Sequence, residues 1–148
     1  MYKNILVPVD GSDTSTSGLL EAIRLGRDSH ATVRALHVVN SAYIAFPYTL
    51  GIYSLGEVSG RLLEDGKNIL QRAEQLVREH SLSGDGVLLE TSTDNTGELI
   101  VAQAKAWPAD IIVMGTHGRR GLGRVVLGSE AEYVVRHTPV PVLLVRKQ

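Results

Sequence analysis

The chain has no cysteine. Disulfides, thiolate nucleophiles and cysteine metal sites are thereby excluded together, and the composition fits a reducing compartment. It also lacks a surplus of charge: 15 Lys and Arg stand against 16 Asp and Glu, for a formal net charge of -1. No global basic field is therefore available for sequence-independent nucleic-acid binding. No stretch approaches the roughly 20 apolar residues of a membrane span. The opening MYKNILVPVD has neither the basic n-region nor the long apolar core of a secretory signal. Internal repeats and low-complexity tracts are missing too. The expectation is a soluble, cytoplasmic protein with no nucleic-acid or membrane partner, folding over its 148 residues as a single domain, 1–148.

Short apolar runs rich in β-branched residues are present at NILVPV from Asn4, TVRALHVV from Thr32, DIIVMG from Asp110 and VPVLLV from Val140, with a weaker one, GVLLETS, from Gly86. The first, third and fourth are almost continuously apolar, as strands covered on both faces are. Helical spacing lies between them. Thr16 to Arg27 places Leu19, Ala22, Ile23 and Gly26 on one face, and Glu57 to Glu79 aligns Leu62, Ile69, Ala73, Leu76 and Val77. A third helix, capped by Asn95 or Thr96, carries Leu99, Ile100, Ala102 and Trp107 and stops at Pro108; Ser129 to Arg136 makes a short fourth. The order βαβαβαβαβ predicts an α/β layered domain with right-handed crossovers around a parallel sheet. Residues 40–60, with four aromatic side chains and no charge before Glu57, are too long for a plain connection. They read either as a loop over the sheet edge or as a lid or partner surface.

Ligands of open α/β sheets bind beyond the carboxyl ends of the strands. That directs attention to Asp10 to Asp13, Asn40, Ser92 to Asn95, and Gly115 to Ser129. In the last group Gly115, Gly118 and Gly128 permit close backbone approach or positive φ. Gly128-Ser129 opens a helix, whose free amides and dipole favour an anion. Arg119, Arg120 and Arg124 add positive charge. No lysine precedes Ser129, so this is not a Walker loop, and Gly121, Gly123 and Gly128 miss the G-x-G-x-x-G spacing. A phosphate cradle and a solvated glycine loop are the two readings the residues allow.

Gly115, two residues, Gly118, nine residues, Gly128, Ser129 resembles the G-2x-G-9x-G-(S/T) signature of the universal stress protein family. NILVPVDGSDTS, LHVV and GSEAEYVVRHTPVPVLLVR resemble the corresponding family segments in order across nearly the whole chain. The resemblance implies an open five-stranded parallel sheet of order 3-2-1-4-5 with helices on both faces, a Rossmann-like fold that binds adenine nucleotides. It implies ATP, with Mg²⁺, as ligand and a homodimer through the last strand, serving a stress response with a further protein partner.

Site residues follow from the same resemblance. Pro8 and Val9 line the adenine side, and Asp10 lies near ribose and phosphates, where it can also hold magnesium through water or simply cap the turn into the first helix. The Val38 backbone reads the adenine edge. Met114, Gly115, His117 and Gly118 form the loop floor, and Gly128, Ser129 and Glu130 the phosphate turn. Pro8, which cannot donate to a ladder, marks a bulge or strand end. His117 either bonds a phosphate or faces solvent, and His37 reads as a satisfied interior histidine. Glu130 departs from the small or aliphatic residue usual there and competes with phosphate for the helix dipole. Rival readings are an ATP-cleaving enzyme of the pyrophosphatase-like fold, which would carry its glycine loop after the first strand, and a nucleotide-free interaction module. No base positioned by a second residue and no catalytic lysine is legible, so at most slow ATP hydrolysis is expected.

Overall fold

Ile5, Leu6 and Val7 are consecutive and each is shut off from water, as are Ile112 and Val113. A strand buried on both faces has to lie inside a sheet covered by helices on each side. The computed structural model describes residues 1–44, 51, 54–116 and 127–146 and has that arrangement. Five parallel strands, β1 (Asn4–Pro8), β2 (Thr32–Asn40), β3 (Ser83–Thr91), β4 (Ile111–Gly115) and β5 (Val142–Val145), lie in the order β3-β2-β1-β4-β5. This is the order implied by the resemblance.

Helices α1 (Asp13–Arg27) and α2 (Leu55–Glu79) cover one face, where Leu19, Ala22, Ile23, Leu70, Ala73 and Val77 pack on Ile5, Val7 and Val33. Helices α3 (Thr96–Ala106) and α4 (Ser129–His137) cover the other, where Ile100, Ala104, Ala131 and Val134 pack on Leu6, Leu36 and Ile112. Each fully buried aliphatic side chain contributes about 1.5–3 kcal/mol.

Several boundaries differ from the periodicity reading, each for a local reason. α1 starts at Asp13 rather than Thr16 because Ser12 Oγ accepts from Ser15 N at 3.1 Å and caps the helix there. α2 is opened by a capping box between Ser54 and Glu57, whose hydrogen bonds to the Ser54 side chain and backbone hold the Glu57 carboxyl below its ordinary value. In α3 the buried stripe is Gly97, Ile100, Val101 and Ala104, while Ala102 is exposed. Trp107 caps the end of α3 and stacks over the Arg34 guanidinium, 4.5 Å from its ring centroid. The same guanidinium forks onto Asp85, Nε to Oδ1 at 2.8 Å and Nη2 to Oδ2 at 2.5 Å, tying β2 to β3 upstream of Gly86. β5 is the edge strand that the order 3-2-1-4-5 places last; Leu143 and Val145 pack against the core on one face and Val142 and Leu144 on the other, and all four residues are half-buried.

At the opposite end of the sheet from the strand tips, the Asp110 carboxylate accepts from Lys3 N at 2.7 Å and Asn4 N at 2.8 Å. These two backbone bonds, Lys3 first, hold its carboxyl below the usual aspartate range.

Candidate functional site

The crevice exists because β1 stops early. Pro8 ends the strand opposite Leu36, and its missing N–H falls on the edge that faces β4. Val9 N then donates to Leu36 O at 2.8 Å, and Val9 O accepts from His37 Nδ1 at 2.7 Å. A carbonyl can only accept, so Nδ1 carries the proton and His37 is the satisfied interior histidine of the sequence reading. The chain leaves through Asp10, whose Oδ1 accepts from Ser12 N at 2.9 Å, and through Gly11 at φ 79, a conformation that favours glycine. It climbs into α1 on one face, whereas β4 leads to α4 on the other, which makes the β1–β4 gap a topological switch point.

β2 meanwhile runs on to Asn40. Successive residues of a strand turn their N–H and C=O to opposite edges. With the Leu36 carbonyl turned to β1, the Val38 N–H and C=O lie on the same edge, past the end of β1, beside the crevice.

That crevice is a cavity of about 580 Å³, within the range of small-molecule sites. Of the residues expected at a site, Pro8, Val9, Asp10, Val38, Met114, Gly115, Gly128, Ser129 and Glu130 all line it. His117, Gly118 and the three arginines of the loop lie outside the described residues, as do positions 45–50 and 52–53 of the aromatic segment. From the ends of that segment, Ser41–Ile44 form a 3₁₀ turn and Ser54 caps α2.

The glycines differ in what they do. Gly115 ends β4 with no positive φ; a Cβ there would stand 2.8 Å from Thr14 Cγ2 and 3.2 Å from the Thr14 carbonyl. Its small size lets α1 lie against β4, a packing role beside its place in the lining. Gly128 is extended at φ -63 and ψ 151, and is the N-cap of α4. Its N–H donates to Thr116 O at 3.0 Å, which holds the start of α4 against the end of β4. With glycine at the N-cap, the cap residue supplies no side-chain bond to the first turn, whose Ser129, Glu130 and Ala131 line the crevice. α3 is similar. Asn95 stands at its N-cap without a side-chain cap bond, because its Oδ1 accepts from Thr91 Oγ1 at 2.5 Å instead.

Leu62, Asp65 and Ile69 of α2 and Thr96 of α3, which motif reasoning passed over, also line the cavity, together with Asp94 and Thr116 from the strand-end segments singled out in the sequence. The length of α2 was the available signal. Its 25 residues span about 37 Å, longer than the roughly 30 Å of a nine-residue strand, so one end overhangs the sheet. Asp10, Asp65, Asp94 and Glu130 make the described lining acidic. No group of three or more acidic or histidine side chains suited to a cation comes together among the described residues.

The chain matches the model of the universal stress protein family over residues 1–146. It is 36% identical to universal stress protein MJ0531 of Methanocaldococcus jannaschii, covering 99% of this chain and 84% of that protein. The solved structure of protein MJ0577 superposes with a TM-score of 0.86 at 28% identity, covering 100% of this chain and 98% of the other. Universal stress protein UspA of Lactobacillus plantarum gives 0.82 at 29%, covering 98% of both chains. More distant structures of the same fold hold ligands: an Archaeoglobus fulgidus universal stress protein in complex with dAMP at 23% identity, one in complex with cAMP at 21%, and an Arabidopsis thaliana family protein with AMP bound at 16%. Their TM-scores are 0.71, 0.68 and 0.70, over 97–99% of this chain.

Proposed function

The chain belongs to the universal stress protein family, and from that premise we propose that its crevice binds an adenine nucleotide, ATP included, and that the protein acts as a nucleotide-responsive homodimer in a stress response. One observation carries the reading. Residues from β1, β2, β4 and the start of α4, distant in sequence, converge on one cavity at the start of a helix whose N-cap residue is Gly128. The adenine nucleotides held by fold neighbours support the ligand class.

In this reading the base lies over β2, where the Val38 N–H and C=O offer a donor and an acceptor to the adenine edge. Pro8, Val9 and Met114 supply apolar walls. Asp10, whose Oδ1 accepts from Ser12 N at 2.9 Å, lies on the ribose side. The phosphates lie at Gly128 and Ser129, against the helix dipole, with Gly118 and His117 on the loop before them. Glu130, in the first turn of α4 with Glu132, opposes a highly charged phosphate chain. ATP therefore binds as its magnesium complex, and a monophosphate needs no metal. β5, an edge of half-buried residues, is the dimer surface.

The test is direct. Denatured protein releases adenine nucleotide, or titration calorimetry with AMP and with Mg-ATP registers binding. Gly118→Val together with Gly128→Val abolishes that binding while circular dichroism and the dimer are retained. Absence of copurified nucleotide combined with no heat at millimolar ligand overturns the proposal.

A further inference from the structure

Asn40 closes β2 at the rim of the crevice and is only 8% exposed. Its amide orientation is fixed, because Oδ1 accepts from Ala42 N at 2.9 Å and so cannot be exchanged with the nitrogen. The remaining group, Nδ2, is buried and has no hydrogen-bond partner among the described residues. Buried side-chain donors are nearly always paired, and one left over in a native structure calls for an acceptor from elsewhere. The hydroxyl of Thr91, the register partner of Asn40, already accepts from Thr93 N at 3.2 Å while donating to Asn95 Oδ1 at 2.5 Å.

Place in the fold selects the acceptor. Side chains two apart on a strand share a face, so Asn40 stands on the same side as Leu36 and Val38, which pack toward α3. One strand, β1, separates β2 from β4, whose end is tied to the α4 N-terminus by Gly128 N to Thr116 O at 3.0 Å. Two strand spacings amount to about 10 Å. A nucleotide with its phosphate at that helix start places its base, not its phosphate, over the end of β2. An amide N–H₂ meets ring nitrogens there.

Resting on the nucleotide reading above, we infer that Asn40 is a base-reading residue, its Nδ2 donating a hydrogen bond to a purine ring nitrogen that the Val38 backbone does not use. It sets which heterocycle the crevice accepts.

The test is a cycle of protein variant against ligand analogue, read by titration calorimetry. AMP and its 1-deaza, 3-deaza and 7-deaza analogues, each with one ring nitrogen replaced by C–H, are titrated into the wild type, Asn40→Asp and Asn40→Ala. Asn40→Asp keeps the shape and the Oδ1 bond to Ala42 while replacing the donor; Asn40→Ala adds no charge. On the wild type one analogue, the 3-deaza or the 7-deaza, binds about tenfold more weakly than AMP, the worth of one hydrogen bond. On both variants AMP is weakened by a similar factor, and that analogue loses nothing further. If every analogue loses the same factor on wild type and variants, the Nδ2 hydrogen is spent on water or protein and the inference is wrong, while nucleotide binding stands. If the wild type binds no AMP at all, both readings fall together.

Discussion

Gly115 is the residue at which sequence and structure assign different causes to the same glycine. Its place in the glycine signature implied a backbone shaped for phosphate, yet the nearest obstacle to a side chain is Thr14 of α1 rather than the cavity. Gly115→Ala is expected to destabilise the protein by about 1–3 kcal/mol through overpacking, measured by urea denaturation. Thr14→Ser, which deletes the offending Cγ2, recovers part of that loss; recovery stays incomplete because the Thr14 carbonyl is also close. A ligand-only role predicts the opposite pattern: unchanged stability without ligand, weakened nucleotide affinity and no rescue from position 14. Gly128, by contrast, sits where motif reasoning put it, at the start of a helix. The spacing of the motif thus points at two residues that line the cavity, Gly115 and Gly128, but only the packing around Gly115 says what a Cβ there would strike.

Among elements, the long apolar runs and helical stripes were legible because each is a periodicity the chain carries locally, as in Ile5 to Val7 of β1 or Leu19, Ala22 and Ile23 of α1. Helix starts were less so. A hydroxyl at Ser12 competes with those at Thr14 and Thr16, and the winner is decided by where the chain turns out of β1. The contribution of α2 to the cavity was legible only through its length, because an overhang depends on how far an element outruns its neighbours rather than on any motif. The β1–β4 joint is another such case: only Ile5 and Leu6 pair with Ile111 and Ile112, and the Asp110 carboxylate reinforces the seam by holding the Lys3 and Asn4 amides. Its lowered pKa means that the folded state favours the ionised form. The stabilisation is therefore fully present above the unfolded value of about 3.9 and is lost as pH falls through the lower folded value. Asp110→Asn is expected to cost about 1 kcal/mol at pH 7, modest because the group is exposed. The gap between variant and wild type closes as urea titrations move from pH 5 towards pH 2. A gap independent of pH means that the carboxylate charge is not what holds the seam.

At the scale of the whole molecule the sheet is asymmetric. β4 is buried along nearly its full length, whereas β5 beside it is half-buried at all four positions, and Val135 on the neighbouring α4 is 45% exposed. Unpaired edge strands recruit partners unless something blunts them. Pro139 and Pro141 lie before β5 rather than within it, so they leave the strand free to pair. Thr116 N donates to Val145 O and Ile112 N to Pro141 O, which turns the odd-numbered residues toward β4 and leaves the N–H groups of Val142 and Leu144 on the outer edge. A second copy approaching through the same edge pairs those groups across a two-fold axis. Sedimentation is then expected to give twice the 16.0 kDa chain mass. Val142→Pro removes one outward N–H while sparing the ladder to β4, and shifts the mass to that of a monomer at micromolar concentration with the far-ultraviolet circular dichroism preserved. A wild-type chain that sediments as a monomer, or a proline variant that remains dimeric, places any self-association on another surface.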